Sequence, residues 1–147
     1  MKWAALITWI VTAGGGFILL GLWLRRGGMA QSRQSGRVIR PPLILSHFAL
    51  AATGLVLWII YVASDSDALA WIAFILLAVV ALLGFTMFAV WLQQRPGAGG
   101  SPSTAPAGSP SPSDPAERGF PVPIVAAHGI VAAATLVLVL LTAAGVG

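Results

Sequence analysis

The sequence predicts an all-α integral membrane protein, a four-transmembrane-helix bundle made of two tandem parallel helical-hairpin repeats. Three observations predict it. Hydrophobic residues make up 58% of the 147 and charged residues only 8%, with a mean hydropathy of +0.92. A soluble domain carries about a quarter of its residues as charges. Four segments reach the roughly 20 apolar residues that span a bilayer core. The second pair of segments also repeats the landmarks of the first.

The spans are residues 3–24, 42–63, 68–92 and 123–144. The first is too long for a signal-peptide core and is followed by Arg25 and Arg26 rather than by small residues, so it is expected to stay in the protein. Trp3, Trp23, Trp58, Tyr61, Trp71 and Trp91 fall towards span ends, where they are expected as interfacial anchors. Loop 25–41 carries Arg25, Arg26, Arg33, Arg37 and Arg40 and no acid. Loop 93–121 adds Arg95 and Arg118 on the same side. The opposite side has Lys2 and the acidic turn "SDSD" with Asp65 and Asp67. The positive-inside rule therefore puts the Arg-rich loop 25–41 in the cytoplasm and both termini outside, in a cell (inner or plasma) membrane. The excess of Arg over Lys, with abundant Ala, Gly and Pro, suggests a bacterial source.

The stretch "RPGAGGSPSTAPAGSPSPSDPAERGFP" has little to bury, and residues 95–120 are expected as a disordered cytoplasmic linker. With no cysteine, disulfides, thiolate zinc sites and iron–sulfur clusters are excluded. The net charge of +4 is concentrated in the loops and does not indicate nucleic acid.

The repeat appears when Pro42 is set on Pro123, an offset of 81: His47 then meets His128, and Ala51, Ala52, Leu55, Val56 and Leu57 meet Ala132, Ala133, Leu136, Val137 and Leu138. "GFILLGLWL" (16–24) matches "GFTMFAVWL" (84–92) at Gly, Phe, Trp and Leu with an offset of 68. Residues 1–63 thus form one hairpin and residues 68–147 a second, which contains the linker. Two crossings each give both copies one orientation, related by a pseudo-two-fold axis along the membrane normal.

His47 and His128 are the only histidines. Each lies five residues past its proline, about 7–8 Å along the helix from the Arg-rich side. Gly16 and Gly84 fall about 10–12 Å from the same side, and small residues follow the histidines: Ala51 and Gly54 after His47, Ala132 and Thr135 after His128. An intramembrane imidazole needs a partner and marks a functional site. A b-type haem suits two imidazoles at one depth: its iron takes one from each side, and small residues leave room for the macrocycle. Its propionates would reach the near face, where Arg37, Arg40, Arg26 and Arg118 are candidates to pair with them.

In these features the chain resembles membrane cytochromes of the b type, and the cytochrome b561-like four-helix proteins among them. The resemblance implies haem b with His47 and His128 as axial ligands, and electron exchange with a quinone or a redox partner subunit. Those proteins typically hold two haems with four histidines; one pair here implies one haem. Other readings stay open. A non-redox membrane subunit or scaffold would use the histidines for interhelical hydrogen bonds. A zinc or copper site lacks ligands beyond Met87. A proton-coupled transporter lacks an intramembrane carboxylate. No catalytic constellation is visible, and both homo- and hetero-oligomers are compatible with the chain.

Overall fold

The computed structural model describes residues 1–31, 39–94 and 116–146. Four helices are long and apolar enough to cross a membrane: α1 (Lys2–Arg25), α3 (Pro41–Ser64), α4 (Asp67–Gln93) and α5 (Val122–Ala143). All four expected spans are found within one residue of their expected ends. α2 (Gly28–Gln31) is a single helical turn after α1. Among the described residues there is no strand.

The helix ends follow from local chemistry. Prolines occupy the first turn of α3 and α5, where a missing N–H costs no intrahelical bond. α3 stops at Asp65, whose φ of 52° is left-handed, and only Asp65 and Ser66 separate it from α4. Asp is one of the few residues tolerant of that conformation. Its carboxylate meets Lys2 Nζ, which also donates to Val62 O at 3.3 Å. The start of α1 is thereby pinned to the α3–α4 turn.

The helices pack in the cyclic order α1, α3, α4, α5, which leaves α3 and α5 diagonally opposite and α1 opposite α4. The most extensive contacts join α3 to α4 and α1 to α5. Each hairpin of the sequence therefore packs more closely against the other hairpin than within itself, and neither forms a core alone.

The core lies towards the Lys2 end. Ala5, Trp9, Trp58, Tyr61, Ala70, Ala73, Leu77, Val80 and Val139 form one buried cluster. Trp9 and Trp58 stack with ring centroids 6.3 Å apart, and Trp58 Nε1 donates to Lys2 O at 3.2 Å. The expectation that the aromatic residues are interfacial anchors fails for four of them. Trp3 and Trp71 are exposed, but Trp23, Trp58, Tyr61 and Trp91 are buried. Indole and phenol rings supply large contact area where lipid gives no hydrophobic drive for helix association and packing must supply it. The outward faces carry Ile7, Phe17, Leu82, Phe85 and Ile130, as contact with lipid requires.

Burial recurs at the sequence offsets. Buried Ala5, Trp9 and Trp23 of α1 correspond to buried Ala73, Leu77 and Trp91 of α4 at 68. Buried Gly54 and Trp58 of α3 correspond to buried Thr135 and Val139 of α5 at 81.

At the Arg-rich end the expected linker gives way to structure before residue 120. Residues 95–115 and the loop 32–38, with Arg37, lie outside the described residues, but Ala116–Gly119 forms a 3-10 turn. Its Glu117 is 1% exposed. Glu117 Oε1 accepts the Ile39 N–H at 2.8 Å and Gln94 Nε2 at 3.1 Å. One carboxylate thus ties together the entry to α3, the exit of α4 and the approach to α5. We expect Glu117→Ala to strand both donors and cost about 1–3 kcal/mol. Glu117→Gln, which keeps an acceptor, is expected to cost less than half of that. Thermal unfolding in detergent, followed by circular dichroism, checks the difference.

Candidate histidine site

His47 extends from α3 onto α4. Its Nδ1 lies 3.0 Å from Val80 O, and a Cβ built on Gly84 would stand 3.3 Å from its Cε1. His128 extends from α5 onto α1 in the same way. Its Nδ1 lies 3.0 Å from Thr12 O, and a Cβ on Gly16 would stand 3.2 Å from its Cε1. In each case the accepting carbonyl is four residues before the glycine. Removing the side chain at that glycine lets the ring lie flat enough on the helix to reach a carbonyl one turn back.

This contact fixes the tautomer. A carbonyl oxygen can only accept, so Nδ1 carries the proton in both rings and donates it. Nε2 is left with its lone pair. Among the described residues neither Nε2 makes a hydrogen bond. A neutral imidazole whose Nδ1–H is held by a backbone carbonyl, with Nε2 bare, is in the form that ligates a metal. Both rings are half-buried. They stand on diagonally opposed helices.

The surroundings of the two rings differ from those of the core. On α1 nothing is fully buried between Trp9 and Trp23; on α4 nothing is between Val80 and Trp91. On α3 nothing is fully buried before Gly54, and on α5 nothing before Thr135. The histidine layer sits inside this stretch, with the tight core on one side and Trp23, Trp91 and the Glu117 turn on the other.

The small residues have more specific roles than leaving room for a macrocycle. Gly16 and Gly84 seat the imidazoles. Gly54 seats Trp9, whose Cζ2 would be 3.0 Å from a Cβ there. Thr135 is buried, donates to Val131 O at 2.8 Å and lies 3.2 Å from Thr12 Oγ1. Ala51 packs against the core and Ala132 is half-buried. Of the arginines, Arg40 is exposed at the entry to α3, and Arg26 Nη1 donates to Ala116 O at 3.4 Å. Arg118 lies in the 3-10 turn.

Sequence reasoning missed the two carbonyls, Val80 O and Thr12 O, which carry no side-chain signature. It also missed Glu117. The signal for Glu117 was an acid beside Phe120 that breaks the Pro/Ser/Ala run.

The donor set is selective. Among the described residues no three His, Cys, Asp or Glu side chains converge. An ion that takes three or four protein ligands lacks them here, whereas a haem, whose macrocycle supplies four nitrogens, needs only two. Two bare Nε2 atoms, one on each of two diagonally opposed helices, are the donors this layer offers. Comparison with family models, with curated proteins and with solved structures returned no match.

Proposed function

We propose that this chain is a membrane b-type haem protein, with one haem held by His47 and His128, that exchanges electrons with a quinone or a redox partner subunit. The observation that carries the reading is the duplicated imidazole geometry: Nδ1–H bound to a carbonyl of the neighbouring helix and Nε2 bare, twice, at equivalent places. When bound, the haem supplies a one-electron redox centre whose potential follows its ligands and its burial. The chain's own residues prepare for it. The carbonyls of Val80 and Thr12 orient the rings and raise the basicity of Nε2. Gly84 and Gly16 set the rings' height on their helices. Arg26 and Arg118 supply positive charge at the end where propionates would lie, whereas Arg40 is exposed on the outside of the bundle.

The same reading takes the bundle as two copies of one hairpin, with the Arg-rich loops cytoplasmic and both termini outside. The recurrence of burial at offsets 68 and 81 supports the copies, and the distribution of charge supports the orientation. The absence of cysteine makes the orientation easy to check. Ser35→Cys is expected to react with an impermeant maleimide only in inside-out vesicles, and Ser66→Cys only in right-side-out ones. Haem titration into the detergent-purified protein tests the function itself. Saturation at one haem per chain is expected; saturation at two, or none, contradicts the proposal.

A second reading is favoured by the same hydrogen bonds. A non-redox membrane subunit would use His47 and His128 only to lock α3 to α4 and α5 to α1. That reading leaves both Nε2 atoms without a task and predicts a colourless protein.

A further inference from the structure

Beside the histidine site, and independent of it, the bundle has a recess of about 530 Å³ lined by Ile39, Arg40, Pro42, Leu43, Ser46 and Val90. It lies on the α3–α4 seam at the Arg-rich end. Arg40, Pro42 and Ser46 are exposed and Leu43 and Val90 half-buried, so it opens on the outside of the bundle rather than onto the histidines. Its walls are apolar, and its polar groups are at the rim. Ser46 Oγ donates to Pro42 O at 2.6 Å, which leaves its oxygen as an acceptor. The Arg40 carbonyl accepts the Leu43 and Ile44 N–H groups at 3.0 and 3.4 Å, but its guanidinium makes no hydrogen bond or ion pair among the described residues. Glu117, which accepts the adjoining Ile39 N–H, also accepts Gln94 Nε2 on the same Oε1.

We infer that this recess binds the head of one anionic phospholipid, with the phosphate on the Arg40 guanidinium and the upper acyl chain along Leu43, Pro42 and Val90. Charge complementarity selects this occupant. The recess lies where helices of membrane-spanning length reach the bilayer surface, and a guanidinium without a protein partner there faces the lipid phosphates. Guanidinium holds phosphate through two parallel hydrogen bonds. Basic pockets between transmembrane helices bind anionic head groups in this way.

Native mass spectrometry of the full chain in detergent, titrated with phosphatidylglycerol and with phosphatidylcholine, tests the inference. The wild-type protein is expected to hold one phosphatidylglycerol with at least a tenfold preference. Arg40→Gln is expected to cut that preference below threefold, and Arg25→Gln to leave it unchanged. Leu43→Trp, which fills the recess without altering charge, is expected to weaken retention of both lipids at least fivefold. Equal losses in R25Q and R40Q would mean a diffuse surface field and overturn the site. Full competition by glycerol phosphate would mean a free anion rather than a lipid. Unchanged retention in L43W overturns the proposal even if R40Q fails to fold.

Discussion

Under the proposed haem reading, His47→Ala and His128→Ala are each expected to abolish low-spin haem. With one imidazole gone the iron would keep a single protein ligand, and the absorption spectrum is expected to become high-spin or be lost; the double variant is expected to bind no haem in the bundle. The fold is expected to survive, because a hydrogen bond between membrane helices contributes only about 0.6 kcal/mol on average and up to about 1.7. Asparagine separates the two uses of the side chain. His47→Asn keeps an N–H to offer Val80 O but has no imidazole nitrogen for iron. Under the haem reading H47N is spectrally as defective as H47A. Under the scaffold reading H47N retains the wild-type thermal midpoint and H47A alone is weakened. Ultraviolet–visible spectra and thermal unfolding of the same preparations distinguish them.

Gly84→Leu and Gly16→Leu are expected to have equal and nearly as large effects. The Cβ atoms would stand 3.3 Å from His47 Cε1 and 3.2 Å from His128 Cε1 before any further side-chain atom is added. Each ring must then rise off the neighbouring helix, which breaks its Nδ1–carbonyl bond and displaces Nε2. Over-packing costs about 1–3 kcal/mol, so haem affinity is expected to fall about 5- to 150-fold. The alanine variants need a shift of only a few tenths of an ångström and should lose less. Gly21 is the control, since nothing lies within 4 Å of a Cβ there. Gly21→Ala should bind haem as the wild type does and gain up to about 1 kcal/mol in helix stability. Haem dissociation constants from Soret titration measure all five variants. A large loss in the Gly84 variant with none in the Gly16 variant would contradict the equivalence of the two hairpins.

Much of the fold was legible because a bilayer leaves few choices. Backbone groups in hydrocarbon must bond within the segment, so a 20-residue apolar run has to be a helix. Prolines then fix where α3 and α5 begin. What the sequence could not carry was neighbour choice. α3 packs closely on α4 and α5 on α1, and these pairings depend on surfaces that are apolar on every side. The tryptophans were misread for the same reason: position along a span does not tell which way a side chain points. At the site, the histidines and glycines were legible as matching landmarks. Their contacts were not, because each imidazole meets a main-chain carbonyl that any residue would offer. Glu117 was hidden by its low-complexity neighbourhood, and its burial comes from Ile39 and Gln94, which are far from it in sequence.

The most direct test of the central claim is a dithionite-reduced minus air-oxidised absorption spectrum of the wild-type protein, purified in detergent after expression with haem supplied. A sharp α-band with a shifted Soret band, at near one haem per chain, is the expected result and establishes a cytochrome. A featureless difference spectrum from a folded, helical sample would contradict it and leave His47 and His128 as interhelical locks.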